Sequence, residues 1–225
     1  MLTKTSKAIR LATLGLATAG AFTFAQTASA EVEVAGSVSI ANMYLWRGID
    51  LGNGSGAISG DIVVSTAGAY AGIWGSSGDS AAGTEYDLFV GYGMEAGDFS
   101  LDISVWNYIY PSSSPEEDNI LDDFGGLSEV ILSLGFGPFS ASYYDNVAGG
   151  TGYEYYTVGA ELGSFGATVG HHSGEGDADD MTHLDLSYAY NDNLSFVVSQ
   201  VVDTEEDDTY DEDLKFVVSY SLPLN

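Results

Sequence analysis

The chain has no cysteine, only four prolines, and five lysines and arginines against 33 aspartates and glutamates. Without cysteine no disulfide can staple the fold, so an exported protein of this composition takes its stability from packing, strand pairing or a membrane. The deficit of positive charge argues against nucleic acid as a partner, because nothing is available to neutralise phosphates. It argues equally against electrostatic docking on anionic lipid. After Ala30 no apolar run is long enough for a spanning helix. No stretch places Lys, Arg, Glu and Leu at the spacing of a soluble amphipathic helix.

The scarce basic residues are unevenly placed. Lys4, Lys7 and Arg10 precede the apolar run "LATLGLATAGAFTFA", which is followed by "TASA", Thr27 to Ala30. A charged start, a short apolar middle and a small-residue end form the pattern of an export signal, with cleavage expected before Glu31. The expected organisation is a signal peptide over 1–30 and one domain over 31–225. Only Arg47 and Lys215 are then left against 33 acidic residues, a formal charge of −31.

What is present is alternation. "TEYDLFVGYGMEAG" sets Tyr86, Leu88, Val90, Tyr92 and Met94 on one face and Glu85, Asp87, Phe89, Gly91, Gly93 and Glu95 on the other. "FSLDISVW", "THLDLSYAY" and "DLKFVVSYSL" repeat the pattern, with Leu101, Ile103, Leu186 and Val218 on apolar faces. Twelve such runs begin near Val32, Ile58, Ala69, Tyr86, Phe99, Ser128, Phe139, Tyr153, Phe165, Thr182, Leu194 and Asp213. Tight connections such as "STAGAY" and "YNDNLS" alternate with longer, acid-rich ones near 47–57, 76–84, 109–126, 146–152, 173–181 and 203–212.

Alternating short and long connections predict an all-β, transmembrane, antiparallel up-and-down barrel of about 12 strands, with short periplasmic turns and longer acidic extracellular loops. A soluble β-sandwich also alternates, but its solvated face would carry Lys, Arg, Glu and Thr. Here the polar face is mostly Gly, Ala and Ser, which suits a crowded barrel interior. Aromatic residues near strand ends, Tyr44 and Trp46, Tyr188 and Tyr190, and Tyr220, are expected as interface girdles.

The stretch "NMYLWRGIDLGNGSGAISGDIVVSTAGAYAGIWGSS" resembles the opening of the TorF porin family. The matching positions are Trp46, Arg47, Gly48 and Ile49, then Gly68, Tyr70, Gly72, Trp74 and Ser76. "TEYDLFVGYG" and "GDFSLDISVWNYIYP" resemble that family's next hairpin, including the step at Tyr110 and Pro111. The resemblance implies a Gram-negative outer-membrane porin.

Parity carries the first strand through Arg47 and turns this residue inward near the mouth, with Asn42 a polar exception on the outward face. The expected pore-lining residues are Glu33, Arg47, Asp61, Asp87, Glu95, Asp102, Glu129, Asp185, Asp213 and Lys215. Arg47 either pairs with carboxylates across strands, or ties down the first loop through Asp50, or forms part of a constriction. Side chains such as Trp106, Tyr108, Phe89 and Met43 are expected to fill much of a lumen this narrow. Glu154 and Glu161 have opposite parity, so one lies beyond the apolar band or a bulge shifts the register.

Other chemistry is weakly signalled. Glu175, Asp177, Asp179 and Asp180, with His183, are weak candidates for an oxygen-rich cation site such as calcium takes, though no EF-hand spacing is present. His183, Asp185 and Ser187 share one parity, but residues two apart on a strand point away from a common substrate atom, so no enzyme is expected. No cofactor is expected. The expected function is passive diffusion of small hydrophilic solutes, with a preference for cations, and the expected partners are outer-membrane lipid and those solutes. The alternatives are a non-conducting outer-membrane barrel that binds ions or a partner, and a soluble periplasmic β-sandwich binding protein. Oligomeric state is not legible.

Overall fold

A computed structural model describes residues 31–111, 124–150, 152–174, 180–204 and 210–224. The expected export segment, together with Glu175, Asp177 and Asp179, lies outside them. The strands are β1 (Glu33–Ala41), β2 (Leu45–Trp46), β3 (Ile49–Asp50), β4 (Ala57–Thr66), β5 (Ala69–Asp79), β6 (Gly83–Ala96), β7 (Phe99–Ile109), β8 (Leu127–Phe136), β9 (Phe139–Ala148), β10 (Glu154–Leu162), β11 (Phe165–Ser173), β12 (Met181–Ala189), β13 (Leu194–Thr204) and β14 (Lys215–Leu224). No helix occurs among the described residues.

Twelve strands, β1 and β4 to β14, pair antiparallel in chain order, and β1 closes on β14 from Gly36↔Leu224 to Ala41↔Ser219. Closure removes the sheet edges that would otherwise seek partners. The outer face is apolar, and the inner face mixes serines and charged groups with aromatic and aliphatic side chains such as Phe89, Ile131 and Val217. Val34, Val38, Ile40, Ile62, Val90, Ile103, Leu186, Phe216 and Leu222 are all exposed. Ser37, Ser39, Ser104, Ser133, Ser199, Ser219 and Ser221 are buried in the interior. Only an apolar surrounding makes such an exterior favourable, because water would leave this area unburied.

The short connections gather at one end. In the β4–β5 hairpin Ala67 (φ 50°) and Gly68 (φ 89°) both take the left-handed region. A two-residue turn of that kind matches the twist of the flanking strands. Near this end the outward aromatics form a row: Phe165 stacks on Tyr188 at 4.9 Å, and Tyr188, Phe196 and Phe216 follow at 6.4 and 6.1 Å. Tyr188, Tyr190 and Tyr220 point outward as expected.

At the other end the structure corrects three expectations. The connection expected over 76–84 is not long: β5 and β6 continue to Asp79 and from Gly83, and Asp79 Oδ1 accepts from the Ala81 and Ala82 amides at 2.8 and 2.6 Å. The first strand does not run through Arg47 but ends at Ala41. Asn42 then binds the neighbouring β14 backbone, donating from Nδ2 to Phe216 O at 3.0 Å and accepting from Val218 N at 2.6 Å. That is why a polar residue stands among outward apolar ones. Beyond Asn42 the chain folds into the barrel, so Tyr44 and Trp46 are lumenal rather than part of a girdle: Tyr44 is buried, and Trp46 packs on Tyr153 and His172. The short hairpin β2–β3 pairs Leu45 with Asp50 and Trp46 with Ile49 around Arg47 (φ 48°) and Gly48 (φ 84°).

Glu154 and Glu161 need no bulge in β10, whose pairing with both neighbours is continuous. Glu154 lies on the outer face near the long-connection end, where it accepts from Tyr143 Oη at 2.5 Å and from Tyr156 Oη. Glu161 has inward parity but is exposed beside the β10–β11 turn.

Candidate functional site

The inward face of each strand alternates small and large residues. Tyr70, Gly72, Trp74 and Ser76 of β5 all point inward, facing Phe89, Gly91 and Asp87 of β6. A Cβ on Gly72 would enter the Phe89 ring, and one on Gly91 would enter the Tyr70 ring. Each glycine therefore provides the space that a ring on the next strand fills. Gly170 does the same for Tyr155 and His183.

Into this lined space the first loop carries Arg47, which is buried with 4% of its surface exposed. Its guanidinium spans the lumen to Glu129 on β8 in a bidentate pair, Nη1–Oε1 2.9 Å and Nη2–Oε2 2.6 Å. Two parallel charge-assisted bonds give both strength and a fixed orientation. The guanidinium carbon lies 4.6 Å from the Trp46 ring centroid, 4.5 Å from Tyr144, 4.7 Å from Tyr155 and 5.6 Å from Tyr153. Burial lowers the Arg47 pKa, but the Glu129 carboxylate together with the neighbouring Tyr153 and Tyr108 phenols outweighs it and holds the guanidinium well above its ordinary value. Burial pushes the Tyr153 phenol up to about 12, against the pull of Arg47.

A directed hydrogen-bond circuit closes around the loop. Arg47 Nη1 donates to Tyr153 Oη at 3.1 Å. Tyr153 Oη and His172 Nδ1 are 2.8 Å apart, and His172 Nε2 lies 2.7 Å from the Arg47 carbonyl. A carbonyl only accepts, so Nε2 carries the imidazole proton and Nδ1 accepts from Tyr153. Beside it, His183 Nδ1 is 3.0 Å from Asp185 Oδ1 and Nε2 is 2.7 Å from Tyr155 Oη. His183 and Asp185, two apart on β12, therefore meet each other directly. The imidazole of His183 bends back along its own strand, and Gly48 packs against it.

The remaining expected lining residues fall at different depths. Asp61 accepts from Ser37 Oγ, and Asp102 accepts from Tyr70 Oη at 2.9 and 3.0 Å, both part-buried on the inner wall. Asp87 is buried, and its Oδ1 has no hydrogen-bond partner among the described residues. Glu33 and Glu95 have inward parity but stand exposed at the short-turn rim, because their strands end there. Asp213 is corrected: it is exposed and precedes β14, its carbonyl accepting from Lys215 Nζ at 3.3 Å and its amide donating to Asp211 Oδ1 at 2.9 Å. Lys215 itself is buried, donating to the Asp211 carbonyl at 2.5 Å. Asp50 does not meet Arg47; its carboxylate caps the Gly52 and Gly54 amides at 2.9 and 2.6 Å. Of the weak metal candidates only Asp180 is described, and no group of three or more His, Asp or Glu is arranged to hold a metal ion among the described residues.

Some functional residues escaped the sequence reading. Glu85 shares the parity of Asp87, so alternation alone could have found it; it accepts from Tyr110 Oη at 2.6 Å and from Tyr44 Oη. Burial raises both phenols above their ordinary range. The same parity turns Tyr144, Tyr155 and His172 inward, but nothing in a linear pattern says that a distant loop enters the barrel to meet them and Tyr153.

Comparison with known proteins places the fold and a family. The sequence profile of Gcw_chp, described as "bacterial protein of unknown function", matches residues 25–218. A search of the curated proteins finds no match. Among solved structures, a chain from work on the in-meso crystallization of membrane proteins aligns with a TM-score of 0.56 at 11% identity, covering 84% of each chain. Outer membrane phospholipase A from Escherichia coli aligns with a TM-score of 0.44 at 12% identity, covering 85% of this chain and 90% of that one.

Proposed function

Since the chain belongs to the Gcw_chp family of bacterial proteins of unknown function, we propose that it is an outer-membrane porin, a narrow passive channel for small hydrophilic solutes with a preference for cations. The resemblance to the TorF porins points the same way. The observation that carries the reading is the lumen itself. Its wall presents Asp61, Glu85, Asp87, Asp102, Glu129 and Asp185, and the interior cations are Arg47 and Lys215. A permeating cation meets an attractive field inside a low-dielectric wall, which is how rings of carboxylates select. The inward first loop is the constriction, and it limits passage to small species. An outer-membrane location after removal of 1–30 belongs to the same reading, as does the absence of catalysis.

Single-channel recording of the refolded protein in a planar bilayer tests it. Small, steady, ohmic steps are expected, and silence at high protein load would overturn the channel. A second reading, a non-conducting barrel, is favoured by the dense filling of the interior: Tyr44 of the first loop and the wall residues Tyr155, Ile131, Met181, His183, Val217 and Ser199 are almost fully buried. Silence in the recording would select it.

A further inference from the structure

The geometry points to a receptor for guanidinium cations, of which Arg47 is the resident and displaceable occupant. Of the four rings around the guanidinium, Tyr144 and Tyr155 stand on the barrel wall with Glu129, Tyr153 immediately precedes β10, and Trp46 alone comes with the loop. The carboxylate and three of the four rings are therefore present independently of the loop that supplies Arg47. The receptor's chemistry matches one cation class. A planar guanidinium is weakly hydrated, presents parallel donors to a carboxylate and stacks on aromatic faces, whereas an ammonium is a compact, strongly hydrated point charge.

Two observations say that the occupant and the site are not fully matched. Arg47 Nε has no hydrogen-bond partner among the described residues, so the resident leaves one donor unused. The site is also more anionic than its occupant: Glu85, Asp87 and Glu129 lie within electrostatic reach of one another or of Arg47. Asp87 Oδ1 is buried without a partner among the described residues. The arm that presents Arg47 has a hairpin of only two residue pairs, turns through a positive φ at a non-glycine residue, and is tied to the wall by the His172 contact to the Arg47 carbonyl and by Ser80 at its tip. The inference names a solute class for the proposed channel, but the binding it predicts does not require conduction.

The test is chemical complementation of full-length Arg47→Ala in detergent, read as the temperature at which heat-modifiable gel mobility is lost. Guanidinium chloride and arginine amide form separate arms, both at millimolar, non-denaturing concentration. Urea serves as the neutral isostere, and sodium chloride matches ionic strength. Guanidinium should raise the midpoint of Arg47→Ala by several degrees, with urea and sodium inert and wild type moving less. A matching shift with arginine amide extends the site to side-chain-sized solutes; a shift with guanidinium alone confines it to the bare ion. Adding Glu129→Gln should abolish the effect. Refolding is run with and without guanidinium, and recovery only in its presence also supports the receptor. A midpoint that guanidinium moves no more than sodium, a shift that survives Glu129→Gln, or failure to fold in both conditions overturns it. Channel recordings of wild type separately decide the porin reading.

Discussion

At the scale of residues, the interior is organised by two kinds of pair. The first is ionic. Arg47 and Glu129 are both almost fully buried, so each neutralises the other where water cannot. Removing one partner of a buried pair leaves an uncompensated charge and costs about 3–5 kcal/mol, whereas removing both costs far less. Glu129→Gln is therefore expected to destabilise more than Arg47→Met combined with Glu129→Gln, as measured by urea unfolding of the four members of the cycle in lipid. The second kind is steric. Gly91 leaves the room that the Tyr70 ring occupies, so Gly91→Val should cost about 1–3 kcal/mol through overpacking. Tyr70→Ala in the same chain should recover part of that loss, and a cost that stays unchanged would mean the two positions do not meet.

At the scale of elements, each strand has two solvents. Leu186 and Ser187 are adjacent on β12; Leu186 is exposed on the outer face and Ser187 faces inward. Replacing Leu186 with Arg should cost about 2–4 kcal/mol near the bilayer midplane. Ser187→Arg should be tolerated better in vesicle unfolding, and the reverse order would put the register one residue out. The first loop is the other decisive element. Its tip rests on the extended β5–β6 hairpin, where the Ser80 amide donates to Leu51 O at 2.9 Å, while its middle fills the lumen. Replacing 43–56 by a short turn leaves Asn42 and the β1–β4 pairing in place. The shortened protein should show a several-fold larger unitary conductance than wild type in bilayer recordings.

At the scale of the whole molecule, charge and topology act together. The barrel places carboxylates on the inner wall at several depths and at the short-turn rim, and its two interior cations are tied to Glu129 and to the 211–213 segment. A conducting pore of this kind should pass cations in preference to anions. The preference should weaken as salt rises, because screening shortens the field to about 10 Å at 0.1 M. Reversal potentials across a potassium chloride gradient at two mean concentrations measure both effects, and an anion-selective sign would mean the inner carboxylates are neutralised.

The sequence by itself determined the twelve wall strands, close to their observed starts, and which residues of each face out, because side chains alternate with period two and only one face suits an apolar surrounding. It also determined that Asp61, Asp87, Asp102, Glu129, Asp185 and Lys215 point inward, since their parity opposes that of apolar neighbours. It could not determine where alternation stops. Arg47 was expected inward on an extended strand; it is inward because β1 ends at Ala41 and a loop re-enters the barrel. The same turn took Tyr44 and Trp46 from the expected girdle into the lumen. Only the tertiary structure decided that Glu129 across the barrel is Arg47's partner, and that Tyr144, Tyr153 and Tyr155 surround the pair. Local periodicity fixes the face on which a side chain stands, whereas partners 82 residues apart in the chain meet only when barrel closure fixes the distance between opposite walls.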